Sequence, residues 1–312
     1  MTGAVFQTFE QKTTPQQGAP HVKALRQELK ARGLDGFIVP RTDEHQNEYV
    51  PASSERLMWL TGFAGSWGMA IVLADKAAIF VDGRYTVQVR EQVDVSLFTP
   101  EHLIDAPPEQ WIKTHVKSGM KIGFDPWLHT HDGAKKLSEA CQAVGASLVA
   151  VDTNPIDHVW TDRPAVPLAS VTLHKPAYAG EQADEKIKRI QKKLNELKAD
   201  AVVITDAHAV AWLFNIRGGD VSHTPLPLGF AIVPREGKPD LFMDGRKFSN
   251  VIRDAVSETA EIAEPAALDH ALERLGQAKA HVRFDGATAA TRLVRRLEAS
   301  GGTAHVGSDF VA

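Results

Sequence analysis

The chain reads as an α/β protein built from two tandem copies of one unit, each a mixed β-sheet flanked by helices. Three observations predict this. Val81-Asp82-Gly83-Arg84-Tyr85 returns as Met243-Asp244-Gly245-Arg246-Lys247, each copy after an apolar run and before a helix-like one. Other landmarks keep the same order: Trp59-Leu60 with Trp212-Leu213, Phe124-Asp125 with Phe284-Asp285, and Leu34-Asp35-Gly36 with Ala199-Asp200-Ala201. A repeat of about 160 residues is several times longer than a solenoid unit, so it marks a duplicated domain. Finally, Met69–Leu73 and Ala77–Val81, split by Ala74-Asp75-Lys76, read as a hairpin among strand–helix–strand patterns. A hairpin among such crossovers calls for a mixed sheet rather than a purely parallel one.

Residues 1–20, rich in Gln, Thr and Pro, read as a flexible leader. The first domain is expected over 21–163. It opens with a helix over 21–32, where Val22, Leu25 and Leu29 share a face and Gly33 supplies the stop. Gly36–Pro40 follows as a buried strand, 41–51 as a polar loop, and 53–60 as a short helix. After the hairpin come a helix over 84–92, a strand over 95–98 and a helix over 108–116 with proline in its first turn. The strand Lys121–Phe124, a helix over 131–144 stopped by Gly145, and a strand over 147–151 close the unit. Pro164, Pro167 and Pro176 mark a linker over 164–178. The second domain, 179–312, opens as the first does. Its helix over 181–198 places Ile187, Ile190, Leu194 and Leu197 on one face, and a strand over 201–205 follows. A helix over 287–299 and a last strand within 301–312 end without a cap, which suggests a larger parent protein.

Composition excludes several classes. With 43% hydrophobic and 24% charged residues, the 312-residue chain has the profile of a soluble globular protein. A net charge of −4 gives no general attraction to nucleic acid. The one cysteine, Cys141, excludes an intramolecular disulfide and suits a reducing compartment. No apolar run reaches the length of a membrane span, and the N-terminus lacks the order of a signal peptide. Cytoplasm is the expected location.

The chemistry-bearing residues give no catalytic constellation by themselves. Gly62, Gly65 and Gly68 miss the spacing of phosphate loops and lead into a strand instead of a helix, so they read as a tight turn. Ser66 lacks glycines two residues to either side, which removes a nucleophile elbow and leaves a structural role. Among 13 histidines, His45, His129 and His131 show no ligand spacing and read as surface or helix-end residues. Asp43, Glu44 and Glu48 read as a solvated acidic face. Asp82 and Asp244 read as helix caps followed by glycines of positive φ. Arg84 would then stand at a helix start, where it opposes the macrodipole unless paired; this is the local hint of a functional arginine. Arg217, Asp220 and His223 gather in a Gly-rich loop after the helix of His208 and Trp212, where a binding role is open.

These segments together resemble the aminopeptidase P (Xaa-Pro aminopeptidase) family of the creatinase/prolidase superfamily. The carriers are His45-Gln46-Asn47-Glu48-Tyr49-Val50, Leu60-Thr61-Gly62-Phe63-Ala64-Gly65-Ser66, Asp82-Gly83-Arg84-Tyr85, Asp157-His158-Val159-Trp160-Thr161-Asp162-Arg163-Pro164 and Trp212-Leu213-Phe214-Asn215-Ile216-Arg217-Gly218-Gly219-Asp220. The resemblance runs from residue 21 to the end and covers the first two domains of the three-domain form. It implies two creatinase N-terminal-like domains, each with a ribonuclease-H-like motif. It also implies a C-terminal pita-bread catalytic domain, absent here, where a pair of divalent metals, often manganese, activates water against the bond before proline. The implied activity is removal of the N-terminal residue from Xaa-Pro peptides. Within this chain the resemblance implies no catalytic residue, no metal ligand and no activity alone. The partners it implies are that third domain, a second copy in a homodimer, and short Xaa-Pro peptides, with no nucleic acid or membrane.

Residue by residue, the resemblance matches Glu48 and Arg84 to family positions that point from the first domain toward the cleft. There a Glu meets a free amine, and an Arg meets a carboxylate or locks the Glu. The loop of Arg217, Asp220 and His223 approaches from the second domain. Two other readings stand beside this one. One is a free-standing interaction module or pseudoenzyme. The other is a metal-free creatinase-type amidinohydrolase, which the Trp-Thr-Asp-Arg-Pro linker and the doubled N-terminal unit disfavour.

Overall fold

The computed structural model describes residues 13–308 and 311. In the first unit the strands are β1 (Gly36–Pro40), β2 (Met69–Leu73), β3 (Ala77–Val81), β4 (Thr99–His102), β5 (Lys121–Phe124) and β6 (Ser147–Ala150). Two short strands, β7 (Thr172–Leu173) and β9 (Ile216–Arg217), form a separate ribbon. The second unit holds β8 (Ala201–Ile204), β10 (Phe230–Pro234), β11 (Asp240–Phe242), β12 (Glu261–Ala263), β13 (His281–Asp285) and β14 (Thr303–Gly307). The sheet orders are β4-β3-β2-β1-β5-β6 and β12-β11-β10-β8-β13-β14. Each has two antiparallel pairings flanking its second strand in chain order, and parallel pairings elsewhere. The duplication in sequence is therefore a duplication of topology.

Successive strand residues feed opposite faces, as pleating requires. Phe37 and Val39 join Leu25, Leu29, Leu57 and Phe63 on one side of β1, whereas Ile38 joins Phe80, Trp111 and Leu137 on the other. In β8, Val202 and Ile204 face Ile190 and Leu213, and Ala201 and Val203 face Leu272 and Leu293. Helices cover both faces of each sheet.

Several expectations are corrected. Residues 13–20, read as part of the leader, are folded onto the first unit. Thr13 is buried and donates to the Gly62 carbonyl at 2.7 Å, Gln17 donates to Met58 and Trp59 carbonyls, and the helix Gly18–Ala31 starts three residues earlier than expected. Residues 1–12 lie outside the described residues. The strand expected over 95–98 is a turn. Asp94 accepts from both the backbone and the hydroxyl of Ser96, a local bond that competes with a ladder, and the strand begins at Thr99 instead. The linker's second half is not a passive connection either, since Val171 is buried in the second core and Thr172 pairs with Arg217.

The two units meet across equivalent loops. Counted from Phe124-Asp125 and Phe284-Asp285, residues 129–131 and 289–291 hold the same positions. His131 N donates to the Ala289 carbonyl at 3.0 Å and Thr291 N to the His129 carbonyl at 2.9 Å, with Thr130 and Ala290 as an antiparallel bridge between them. Exchanging the units exchanges the two bonds, so the junction has the self-complementary form of a two-fold interface within one chain. The same brace stands behind each loop: Thr42 Oγ1 donates to Leu128 O at 2.7 Å, and Thr205 Oγ1 to Thr288 O at 3.0 Å. Side-chain contacts break the symmetry, as when Trp127 packs against Phe230 and Arg292 lies over the Trp127 ring. His45 of the first unit stacks on Phe230 of the second at 4.2 Å and donates through Nδ1 to Thr205 O at 3.0 Å.

Candidate functional site

Glu48 and Arg84 are brought together by three loops of the first unit. The helix Arg56–Thr61 ends at Gly62, whose φ of +88° is a left-handed cap. The chain then folds tightly around Phe63: a Cβ on Gly65 would lie 2.2 Å from that ring. This turn presents Ser66. The loop carrying Glu48 is fixed by Asp43, which is fully buried. Its carboxylate accepts from His45 N and Asn47 N, each at 3.0 Å, and from Asn47 Nδ2 at 2.8 Å. The acidic residues 43, 44 and 48 are therefore not one solvated face. Asp43 organises the loop, Glu44 pairs with the buried Arg56, and Glu48 faces outward.

Glu48 Oε1 accepts from Ser66 Oγ at 2.7 Å and from Arg84 at 3.1 Å. With its proton given to Glu48, Ser66 Oγ receives the Tyr85 hydroxyl at 2.8 Å, and Ser66 N donates back to the Tyr85 oxygen at 3.2 Å. Arg84 also forks onto Asp82 at 2.8 and 3.1 Å and lies over the Tyr85 ring. Arg84 is not at a helix start, because Asp82–Val87 is a turn and the helix spans only Gln88–Gln92. Its charge is answered by two carboxylates, not by a helix end. The Ser66 hydroxyl, and then Arg84, hold the Glu48 carboxyl below its usual range; Arg84 does the same for Asp82. The three charges sum to one negative. With Arg84 56% and Glu48 49% exposed, the patch offers an ionised carboxylate and a guanidinium edge to a ligand.

The second-unit candidates are held differently. Asp220 is buried against Lys247 at 2.6 Å and accepts from Ala169 N and Leu228 N. Arg217 donates to the carbonyls of Ile216 and Ala211, and His223 sits exposed with φ +60°. No hydrogen bond or ion pair among the described residues joins this set to Glu48 or Arg84.

The most specific sequence motifs turn out to be structural. Asp157 pairs with Arg56 through both oxygens, at 2.7 and 3.0 Å, and with Arg163 at 2.6 Å, clamping the start of the linker to the first unit. Asn215, with φ +51°, receives the buried Lys186 at 2.7 Å, and that ammonium also caps the Trp212 carbonyl and lies over its ring. Sequence reading missed Lys186 because its neighbours form a charged helix. His45 and His129, expected at the surface, are 7% and 4% exposed. Among the described residues, no group of three or more His, Cys, Asp or Glu is placed to hold a metal ion. No described helix is long and apolar enough to cross a membrane.

Comparisons with known proteins agree with a two-unit architecture. Family models described as the creatinase/prolidase N-terminal domain match residues 21–159 and 162–311. A probable Xaa-Pro aminopeptidase P of Paracoccidioides brasiliensis is 34% identical over 81% of the chain and 41% of that protein's length. One from Aspergillus niger is 37% identical over 73% of the chain and 38% of its own length. The chain thus spans about two-fifths of the length of these curated relatives. In fold it matches the X-prolyl aminopeptidase of Caenorhabditis elegans, described as a cytosolic enzyme with a di-nuclear active site. The TM-score is 0.87 at 24% identity, over 94% of this chain and 50% of that one. The chain belongs to the creatinase/prolidase family and carries two of its N-terminal domains in tandem, as in the first half of aminopeptidase P.

Proposed function

We propose that this chain is the N-terminal, non-catalytic half of a proline-specific metallo-aminopeptidase, and that it shapes the entrance to a cleft completed by a further domain. The observation that carries this reading is the match of 34% identity over 81% of the chain to relatives named as probable Xaa-Pro aminopeptidase P. Among the described residues no group of His, Cys, Asp and Glu is placed to hold a di-nuclear site of the kind named for the C. elegans enzyme, and the carboxylates near Glu48 are bonded to a serine, an amide and arginines. No metal-assisted step is assigned to these residues.

In this reading Glu48 receives the free amine of a short Xaa-Pro peptide, Arg84 fixes the carboxylate's position, and the loop carrying Arg217 and His223 forms the opposite rim, held from within by the buried Asp220–Lys247 pair. The protein works in the cytoplasm as a homodimer whose catalytic domain binds two divalent metals. Purified 1–312, supplied with Mn²⁺, should leave an Xaa-Pro tripeptide intact, while the longer parent protein cleaves it. Cleavage by 1–312 alone would overturn the assignment. In the parent protein Glu48→Gln should lower kcat/KM by about tenfold or more if the carboxylate meets the peptide amine, with an unchanged melting curve.

A further inference from the structure

Strands β13 and β14 close one side of the second sheet, with β14 as its edge. Pleating sorts their side chains. Val282, Phe284, Ala304 and Val306 turn into one core, so His281, Arg283, Thr303 and His305 share the other face. That face is open at the edge: His281 is exposed and His305 half-buried. His281 pairs in register with Thr303 and His305 with Arg283, which makes the two histidines diagonal neighbours. Their rings meet, with His281 Nδ1 and His305 Nε2 2.8 Å apart and the ring planes 17° from parallel.

One proton lies between these two nitrogens. Moving it to the far nitrogen of its own ring, a tautomer change open to an exposed imidazole, leaves a lone pair on both, and neutral imidazole nitrogen is a metal ligand. Among the described residues neither ring makes another side-chain hydrogen bond, so no other bond is given up. The spacing decides which ion fits. Two ligands at right angles, each about 2.0 Å from an ion, stand about 2.8 Å apart, whereas tetrahedral ligands of that length stand about 3.3 Å apart. The observed 2.8 Å is the right-angled span. The nearby charges allow a cation. The Asp200 carboxylate receives His281 N at 2.8 Å and pairs with Arg235. Arg283 reaches the other way, since a Cβ on Gly307 would lie 3.2 Å from its Nη2.

We infer that His281 and His305 form a two-imidazole site for a divalent ion of tetragonal preference, Cu²⁺ or Ni²⁺, with each ring turning about its Cβ–Cγ bond to aim its lone pair at the ion. Among the described residues no third histidine, cysteine or carboxylate joins them, so solvent completes the coordination. The site lies in the second unit and is independent of the Glu48 patch.

The test titrates 1–312 with Cu²⁺ at neutral pH and follows it by electron paramagnetic resonance. The tightest copper should number one per chain and show two imidazole nitrogens in its plane. His281→Gln and His305→Gln should each weaken that binding by about tenfold or more, and the double variant should lose no more than about twofold beyond either, because one missing ligand already opens the chelate. His208→Gln, at an exposed histidine elsewhere, should leave the affinity within about twofold. Ni²⁺ should displace the copper at lower concentration than Zn²⁺. Because both rings lie at the surface, the variants should keep the melting curve of the unaltered chain. Copper binding unchanged by either substitution, additive losses in the double variant, or easier displacement by Zn²⁺ overturns the inference.

Discussion

The two Asp-Gly-Arg turns begin alike and end differently. In both, the arginine forks back onto the aspartate two residues earlier: Arg84 onto Asp82 at 2.8 and 3.1 Å, Arg246 onto Asp244 at 2.6 and 2.9 Å. The next residue decides what the turn is for. Tyr85 in the first unit leans on Phe63 and puts its hydroxyl on Ser66, which leaves Glu48 and Arg84 paired but in solvent. Lys247 in the second points inward and closes a buried ion pair with Asp220. Duplication supplied one scaffold twice; a single position then separated an exposed charged rim from an internal rivet.

The difference can be broken from either side. Lys247→Met should have the largest effect, because it strands the Asp220 charge in the interior: about 3–5 kcal/mol of lost stability, read by urea unfolding. A small loss would mean that Asp220 reaches water and that the second turn is not locked. Next comes a comparison at the junction, where the first unit has His129 and the second Ala289. His129 titrates near pH 4 in the folded chain and at the ordinary 6.5 when unfolded. Between those values the unfolded chain binds the extra proton, so stability should fall as pH drops through this window, by about 3 kcal/mol in all. His129→Phe should flatten that slope, and an unaltered slope would place the titrating group elsewhere.

Tyr85→Phe removes one hydroxyl from the Ser66 network and should cost about 1 kcal/mol in the same assay. Loss comparable to that of Lys247→Met would show the first turn to be as structural as the second. Arg84→Ala should shift the urea midpoint least of all, since both its ion pairs lie in solvent.

How much of this was legible in sequence follows from where each residue finds its partners. Gly36–Pro40, Met69–Leu73, Ala77–Val81 and Lys121–Phe124 have the expected bounds because strands covered on both faces are written as near-continuous apolar runs. The duplication was legible because Asp-Gly-Arg and Phe-Asp each close a local turn whose chemistry is complete within a few residues. His45, His129 and Lys186 were not, since what they pair with comes from elsewhere: Thr205 for His45, Ile38 for His129, Trp212 and Asn215 for Lys186. Arg84 was half legible. An unpaired arginine after Asp-Gly signalled something unusual, but Glu48, 36 residues earlier, is the partner that makes it a site. The self-complementary junction of 129–131 with 289–291 leaves no trace in side-chain identity, because backbone groups form it.

The most direct test of this division of labour compares Arg84→Ala with Arg246→Ala in the longer parent protein, using an Xaa-Pro peptide as substrate. Arg84→Ala should lower kcat/KM by about tenfold or more with an unchanged melting curve, and Arg246→Ala should stay within about twofold of the unaltered enzyme. Equal losses from the two substitutions, or none from Arg84→Ala, would contradict the assignment of a working role to the first of the two Asp-Gly-Arg turns alone.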